Sequence, residues 1–216
     1  MKKGALFDMD GTLIDTEKLY RKHWQIEIEK DGYVFNPGFS REIAGVGDKR
    51  ALVVINSFYP DEDAEDLKRR VHLQVVEEMK RDITEKPGMR EILMYLKDKG
   101  VKLAVASSST HEKINIYIEK CHLEGVFDAL VSGYDIKRGK PEPDIFLKAA
   151  KAIGVSPEDC YVFEDSVNGS KAGNAAGCAT VMIPDNVVPT KEERALCVGV
   201  YDSLSDALDA IKAGEI

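Results

Sequence analysis

Gly4-Ala5-Leu6-Phe7 is a short apolar run, and the next strand-like run comes only at Val101-Lys102-Leu103-Ala104-Val105-Ala106. A lone buried strand would leave its backbone N–H and C=O groups unpaired, so these two distant runs must meet in one sheet. The sequence between them is helical in character. Residues 16–30 carry Leu19, Trp24, Ile26 and Ile28 and stop at Asp31-Gly32, and 49–59 stop at Pro60. Residues 61–85 are long, charged and set with Leu67, Val71, Val75, Val76 and Met79 at helical spacing before Pro87-Gly88 breaks the pattern. From there the rhythm changes. Helix 89–99, strand 101–106, helix 112–121, strand 129–132, helix 143–153, strand 161–163, helix 167–176, strand 179–183 and helix 204–212 follow in turn. Short apolar strands alternating with helices predict a parallel sheet covered on both faces.

The expected architecture is therefore α/β, a doubly wound parallel core of Rossmann-like type. Residues 1–16 and 84–216 make the core, and 17–83 form an inserted helical cap on two short linkers, which implies that the cap opens. One continuous α+β domain is the alternative, but it leaves the first strand without a crossover of normal length.

Composition narrows the function classes. A net charge of -8 argues against nucleic acid and acidic membrane surfaces as partners. An anionic substrate would then need local positive charge from a metal or from particular lysines. No apolar run approaches the roughly 20 residues of a membrane span. The opening MKKGALFDMD is too short in apolar residues for a secretory signal, so a cytoplasmic protein is expected. Cys121, Cys160, Cys178 and Cys197 are scattered without a C-x-x-C pair and read as buried, reduced thiols. The four histidines form no cluster with metal-ligand spacing.

In a doubly wound sheet, sites gather at the carboxyl ends of strands. The first strand ends in Asp8-Met9-Asp10-Gly11. A turn and a helix cap account for Asp10, Gly11 and Asp15, but they leave Asp8 without a local use. Strand 101–106 runs into Ser107-Ser108-Ser109-Thr110, hydroxyls and backbone N–H groups that open a helix and suit a phosphate. Strand 129–132 is followed by Arg138-Gly139-Lys140-Pro141-Glu142-Pro143, a rigid loop around one lysine. Strand 161–163 ends in Glu164-Asp165-Ser166. Surface acidity explains one acidic pair at a strand end. It does not explain two at one sheet edge, with a lysine and a hydroxyl loop between them in sequence.

This order resembles the haloacid dehalogenase superfamily, chiefly phosphatases and phosphomutases. The family pattern is D-x-D-G-T/V after strand one, a Ser/Thr after the second strand, a Lys before a helix, then E-D or D-D. The match spans 1–16 and 86–185, and a helical cap inserted after the first motif is typical. The resemblance implies that Asp8 is the nucleophile, forming an aspartyl phosphate. Asp10 would be the general acid and then the base. Mg2+ would be held by Asp8, the Asp10 carbonyl, Asp165 and Glu164, the last directly or through water. Ser107 and the Ser108 N–H would hold phosphate oxygens, Lys140 would oppose their growing charge, and Gly11 would let the backbone approach closely.

Lys140-Pro141-Glu142-Pro143-Asp144 and Glu164-Asp165-Ser166-Val167-Asn168-Gly169 suggest the branch of β-phosphoglucomutase and small sugar-phosphate phosphatases. In the mutase a K-G-V-x-R cap loop grips the sugar phosphate and a His stands on the first cap helix. Here the loop reads Ala44-Gly45-Val46-Gly47-Asp48, with Lys49-Arg50 shifted along, and Tyr20 takes the helix position. These departures favour hydrolysis of a small phosphorylated metabolite, above all a sugar phosphate, with a phosphomutase as the alternative. Tyr20, Val46, Lys49 and Arg50 are the cap's candidates for substrate contact, although helix-surface charge accounts equally well for the last two. A receiver-like phospho-acceptor would lack the insertion, and a nucleotide-binding module would need a glycine-rich motif after strand one that is absent. A monomer is the expected state.

Overall fold

The structure, a computed structural model, describes residues 1–43, 46, 48–185 and 187–216, the side chains of Asp48 and Lys49 excepted. It forms two compact units, Met1–Ile14 with Thr84–Ile216, and Asp15–Ile83.

In the first unit the strands are β1 (Gly4–Phe7), β2 (Lys102–Ser107), β3 (Ala129–Ser132), β4 (Cys160–Glu164), β5 (Ala179–Met182) and β6 (Gly199–Val200). Among the described residues they make one six-stranded sheet in the order β3-β2-β1-β4-β5-β6, parallel throughout. The sheet therefore grows outward from β1 to β3, returns, and grows the other way from β4. The switch point lies between β1 and β4, whose register pairs Gly4 with Cys160 and Phe7 with Phe163.

Alternation sorts the strand residues onto two faces. Leu6, Ala104, Ala106 and Val162 pack with Ile145, Phe146, Ala149 and Ala150 of the helix Asp144–Ala152 and with Ala172 of the helix Val167–Ala175. Residues of the other parity, including Phe7 and Phe163, stack on the opposite face with ring centroids 4.6 Å apart. On that side the helix Met89–Asp98 lies against β2, and the helix Leu204–Ala213 against Met89–Asp98. With both faces covered, β1 is buried along its whole length.

The second unit holds α1 (Thr16–Lys30), α2 (Pro37–Ile43), α3 (Asp48–Phe58) and α4 (Ala64–Met79). The core-unit helices then continue as α5 (Met89–Asp98), α6 (His111–Lys120), α7 (Asp144–Ala152), α8 (Val167–Ala175), α9 (Lys191–Arg194) and α10 (Leu204–Ala213). No helix is expected over 37–43 from the apolar periodicity, yet α2 begins there on Pro37-Gly38. Proline in fact serves as a helix start, where its missing N–H costs nothing. Burial of Phe39 against Trp24, Phe35, Phe58 and Tyr59 then holds the helix in place. The long helix expected over 61–85 is shorter at both ends: Asp63 caps it by accepting from Glu65 N and Asp66 N, and it ends at Met79. The inner face of α1 also differs. Ile26 is 45% exposed, whereas His23 and Glu27 are buried because each has a partner on α4: Glu78 Oε2 lies 2.7 Å from His23 Nε2, and Glu27 pairs with Arg70. No helix of the described residues is long and apolar enough to cross a membrane.

Candidate active site

Asp8 is the first residue beyond β1, and its backbone N–H still donates to Phe163 O at 3.0 Å. That bond keeps the chain in register with β4, so the Asp8 side chain emerges beside Glu164, the last residue of β4. Both are almost fully buried, at 5% and 1% exposed. Lys140 joins them: its Nζ donates to Asp8 Oδ1 at 2.6 Å and to Glu164 Oε1 at 2.5 Å. The lysine reaches them from the loop before α7, where the Lys140-Pro141 bond is cis, and it lies 5.1 Å from the centroid of the Phe146 ring. The second Glu164 oxygen accepts from Ser166 N at 2.7 Å and from Ser166 Oγ at 2.8 Å. Ser166 is also the N-cap of α8, so one serine fixes both the carboxylate and the helix start.

Asp10 belongs to a separate set of donors. Its Oδ2 accepts from Ser109 Oγ at 2.6 Å and Ser107 Oγ at 3.2 Å, and its Oδ1 accepts from Lys113 Nζ at 2.9 Å. Ser107 is fully buried at the end of β2, and its Oγ accepts in turn from Ser109 N at 3.0 Å. Asp165 accepts from Thr12 Oγ1 at 3.3 Å.

Burial pushes the Asp8 carboxyl up to about 7, and the nearby Glu164 and Asp10 charges add to the rise while Lys140 opposes it. For Lys140, burial disfavours the cation, but the Asp8 and Glu164 carboxylates outweigh it and hold the ammonium above its ordinary value. The lysine is charged, and the carboxylates around it are in excess. Asp8, Glu164 and Asp165 each offer an oxygen within 4.8 Å of the others. An all-oxygen, carboxylate-rich set of this kind fits a hard divalent cation such as Mg2+, which would relieve the burial cost at Asp8.

Residues 5–183 match the family described as haloacid dehalogenase-like hydrolase. The chain belongs to the haloacid dehalogenase-like hydrolases. The phosphorylated carbohydrates phosphatase of Thermotoga maritima is 32% identical over 215 residues, 99% of this chain and 92% of that protein. The β-phosphoglucomutase of Bacillus subtilis is 30% identical over 190 residues, 83% of this chain and 82% of that protein. Among solved structures, CbbY from Rhodobacter sphaeroides in complex with phosphate shares the fold with a TM-score of 0.79 at 26% identity, covering 95% of this chain and 96% of that one.

Within this hydrolase the remaining expected residues lie as follows. Gly11 sits against Asp165, since a Cβ there would fall 2.4 Å from Asp165 Oδ2. Ser108 is exposed, with Gly133 against its backbone. Tyr20 stands on α1 of the other unit, its OH 3.3 Å from His72 Nδ1. Val46 is half-buried and outside any element. Ala44, Gly45 and Gly47 of the same loop, and the Lys49 side chain, lie outside the described residues. Arg50 is exposed, 4.0 Å from Glu42.

Sequence reasoning missed Lys113; Ser109 and Thr12 stand inside the hydroxyl run and the first motif but carry no expected role of their own. Lys113 carried one usable signal, a cation in the first turn of a helix, where the dipole disfavours it.

Proposed function

We propose that this hydrolase is a Mg2+-dependent phosphatase of small phosphorylated metabolites, sugar phosphates first among them, acting through an aspartyl phosphate on Asp8. The observation that carries the reading is the separation of the two aspartates. Asp8 shares Lys140 with Glu164, whereas Asp10 is held by Ser107, Ser109 and Lys113. Two carboxylates in different environments can take different parts in one reaction. The phosphorylated carbohydrates phosphatase at 32% identity supports the substrate class.

Asp8 attacks phosphorus, so a bond forms from its carboxylate oxygen as the bond from phosphorus to the leaving oxygen breaks. Asp10 gives that oxygen a proton. Lys140 opposes the charge gathering on the phosphoryl oxygens, and Ser107 with the Ser108 N–H orients them. Asp10, now a carboxylate, takes a proton from water as the water oxygen bonds to phosphorus. The Asp8–phosphorus bond breaks and inorganic phosphate leaves. Asp8, Asp165, the Asp10 carbonyl and, directly or through water, Glu164 would hold Mg2+, which would supply positive charge to offset repulsion between carboxylates and phosphate. Gly11 allows the close backbone approach, and Tyr20 and Val46 are the insertion's candidate substrate contacts. A cytoplasmic location and a monomeric state are part of the same proposal.

The test uses p-nitrophenyl phosphate, whose leaving group hardly needs a proton. Asp10→Asn should become phosphorylated and then stall, visible as a mass gain of one phosphoryl group, whereas Asp8→Asn should never show it. Two unphosphorylated variants, or normal turnover in Asp8→Asn, would refute the assignment. The 30% identity to a β-phosphoglucomutase favours a second reading, phosphoryl transfer back to a sugar. Turnover of β-glucose 1-phosphate that requires a bisphosphate activator would establish it.

A further inference from the structure

Lys113 is only 2% exposed and stands in the first turn of α6. Both facts are costs. The start of a helix carries partial positive charge, and a buried ammonium gives up its hydration. An apolar residue at this position would avoid both, so neither helix formation nor core packing explains a lysine. The need is also one-sided. A quarter of the Asp10 side chain, 25%, stays exposed and could be solvated without Lys113, whereas the Lys113 side chain keeps only 3%.

The lysine reaches Asp10, with Nζ 2.9 Å from Oδ1, while Ser109 Oγ holds Oδ2 at 2.6 Å. The segment that supplies these donors is itself tied down. Thr110 Oγ1 accepts from Lys113 N at 3.3 Å, and Ser132 Oγ donates to Ser109 O at 2.6 Å. The geometry points to Lys113 as the positioning residue for Asp10: with Ser109 it holds the Asp10 carboxylate in one orientation, so that the proton given to the leaving oxygen and taken from water travels one path. The inference rests on the acid–base role proposed for Asp10. Lys113 touches Asp10 and acts through it.

The experiment is a double-mutant cycle on the phosphoenzyme, in the full chain with Mg2+. The parent, Lys113→Met, Asp10→Asn and the double variant are each mixed with p-nitrophenyl phosphate. The nitrophenolate burst reads phosphorylation, and loss of the added phosphoryl mass reads breakdown. Because nitrophenolate leaves without a proton, Lys113→Met should phosphorylate within about threefold of the parent and break down about 10- to 100-fold more slowly. On the Asp10→Asn background the same substitution should change breakdown by less than about threefold, since a residue acting through Asp10 has nothing left to act on. Lys113→Gln keeps a donor, one bond shorter and without the charge. It should retain part of the breakdown rate, and it carries the test if the methionine variant does not fold. Breakdown at the parental rate in Lys113→Gln and Lys113→Met overturns the inference. So does breakdown slowed equally on both backgrounds, or both steps slowed together with a fall in Tm. If Asp10→Asn itself breaks down at the parental rate, the failure lies instead in the acid–base reading of Asp10.

Discussion

Replacing Gly169 by alanine should destabilise the protein, although helix propensity says the reverse. Gly169 lies in the first turn of α8, and alanine there would favour the helix by about 1 kcal/mol. The space is already taken. A Cβ would fall 1.9 Å from Cδ and Oε1 of Glu164 and 2.3 Å from Oε2. The Glu164 carboxylate cannot easily yield, because Lys140, Ser166 N and Ser166 Oγ hold it at 2.5, 2.7 and 2.8 Å. Moving it gives up at least one buried charged hydrogen bond, about 1.5–3 kcal/mol. Overpacking between β4 and α8 costs about 1–3 kcal/mol more. After the propensity gain the net loss is about 3 kcal/mol, and for a chain of this size that lowers Tm by roughly 10 °C. Thermal unfolding followed by circular dichroism reads it. Gly139→Ala is the control: nothing lies within 4 Å of a Cβ there, so Tm should barely move. A Gly169→Ala variant that melts at or above the parent, with normal phosphatase activity, would show that the carboxylate is not packed as described.

Asp165→Asn removes one anionic oxygen from the Asp8, Glu164 and Asp165 set. In the parent, Mg2+ at a hundred times its dissociation constant should add about 2.7 kcal/mol of stability. The variant should need more Mg2+ for the same rise in Tm and lose more activity at limiting than at saturating Mg2+, and identical Mg2+ titrations would count against the cation site. A pH dependence follows from Asp8, whose carboxyl is raised to about 7 by burial and neighbouring charge. A carboxyl raised in the folded state contributes stability that is present at low pH and lost as pH climbs through the folded value. In EDTA, therefore, the Tm of the parent relative to Asp8→Asn should fall between about pH 4 and 7 and level off above that. A difference that stays flat across that range would contradict the raised value.

The elements that the sequence made legible are those whose partners are implied by periodicity. The strands of the core are continuous apolar runs because both faces are covered, and their alternation with helices leads directly to the parallel sheet. Features set by contacts between distant residues were less visible. Glu27 and His23 look like solvated positions of α1, and only the placement of Arg70 and Glu78 on α4 makes them interior. Lys140 is conspicuous because two prolines and a glycine frame it. Lys113 sits in an ordinary polar helix start, and the carboxylate that explains it lies 103 residues away in sequence. Gly169 reads as a mere helix weakener until Glu164 is seen to occupy the volume of its missing side chain.

The spacing of Asp8 and Asp10 raises a physical problem that the turn after β1 solves. Had β1 run on for two more residues, both carboxylates would have faced the same side about 7 Å apart, competing for one lysine. Instead the chain leaves the sheet at once. Leu13 N and Ile14 N both donate to Met9 O, at 3.0 and 3.1 Å, and Gly11 N donates to Ile14 O at 2.9 Å. Met9 is fully buried between the two aspartates and anchors the turn. The turn requires a left-handed residue, and Gly11 supplies it with φ at +84°. Asp8 thus stays with β4 and Lys140, while Asp10 is carried across to the end of β2 and to Lys113. The same turn brings the Gly11 backbone against Asp165 and places Thr12 Oγ1 3.3 Å from Asp165 Oδ1. A side chain at position 11 would therefore do two kinds of damage together, straining the φ that parts the two aspartates and displacing a carboxylate of the candidate cation set.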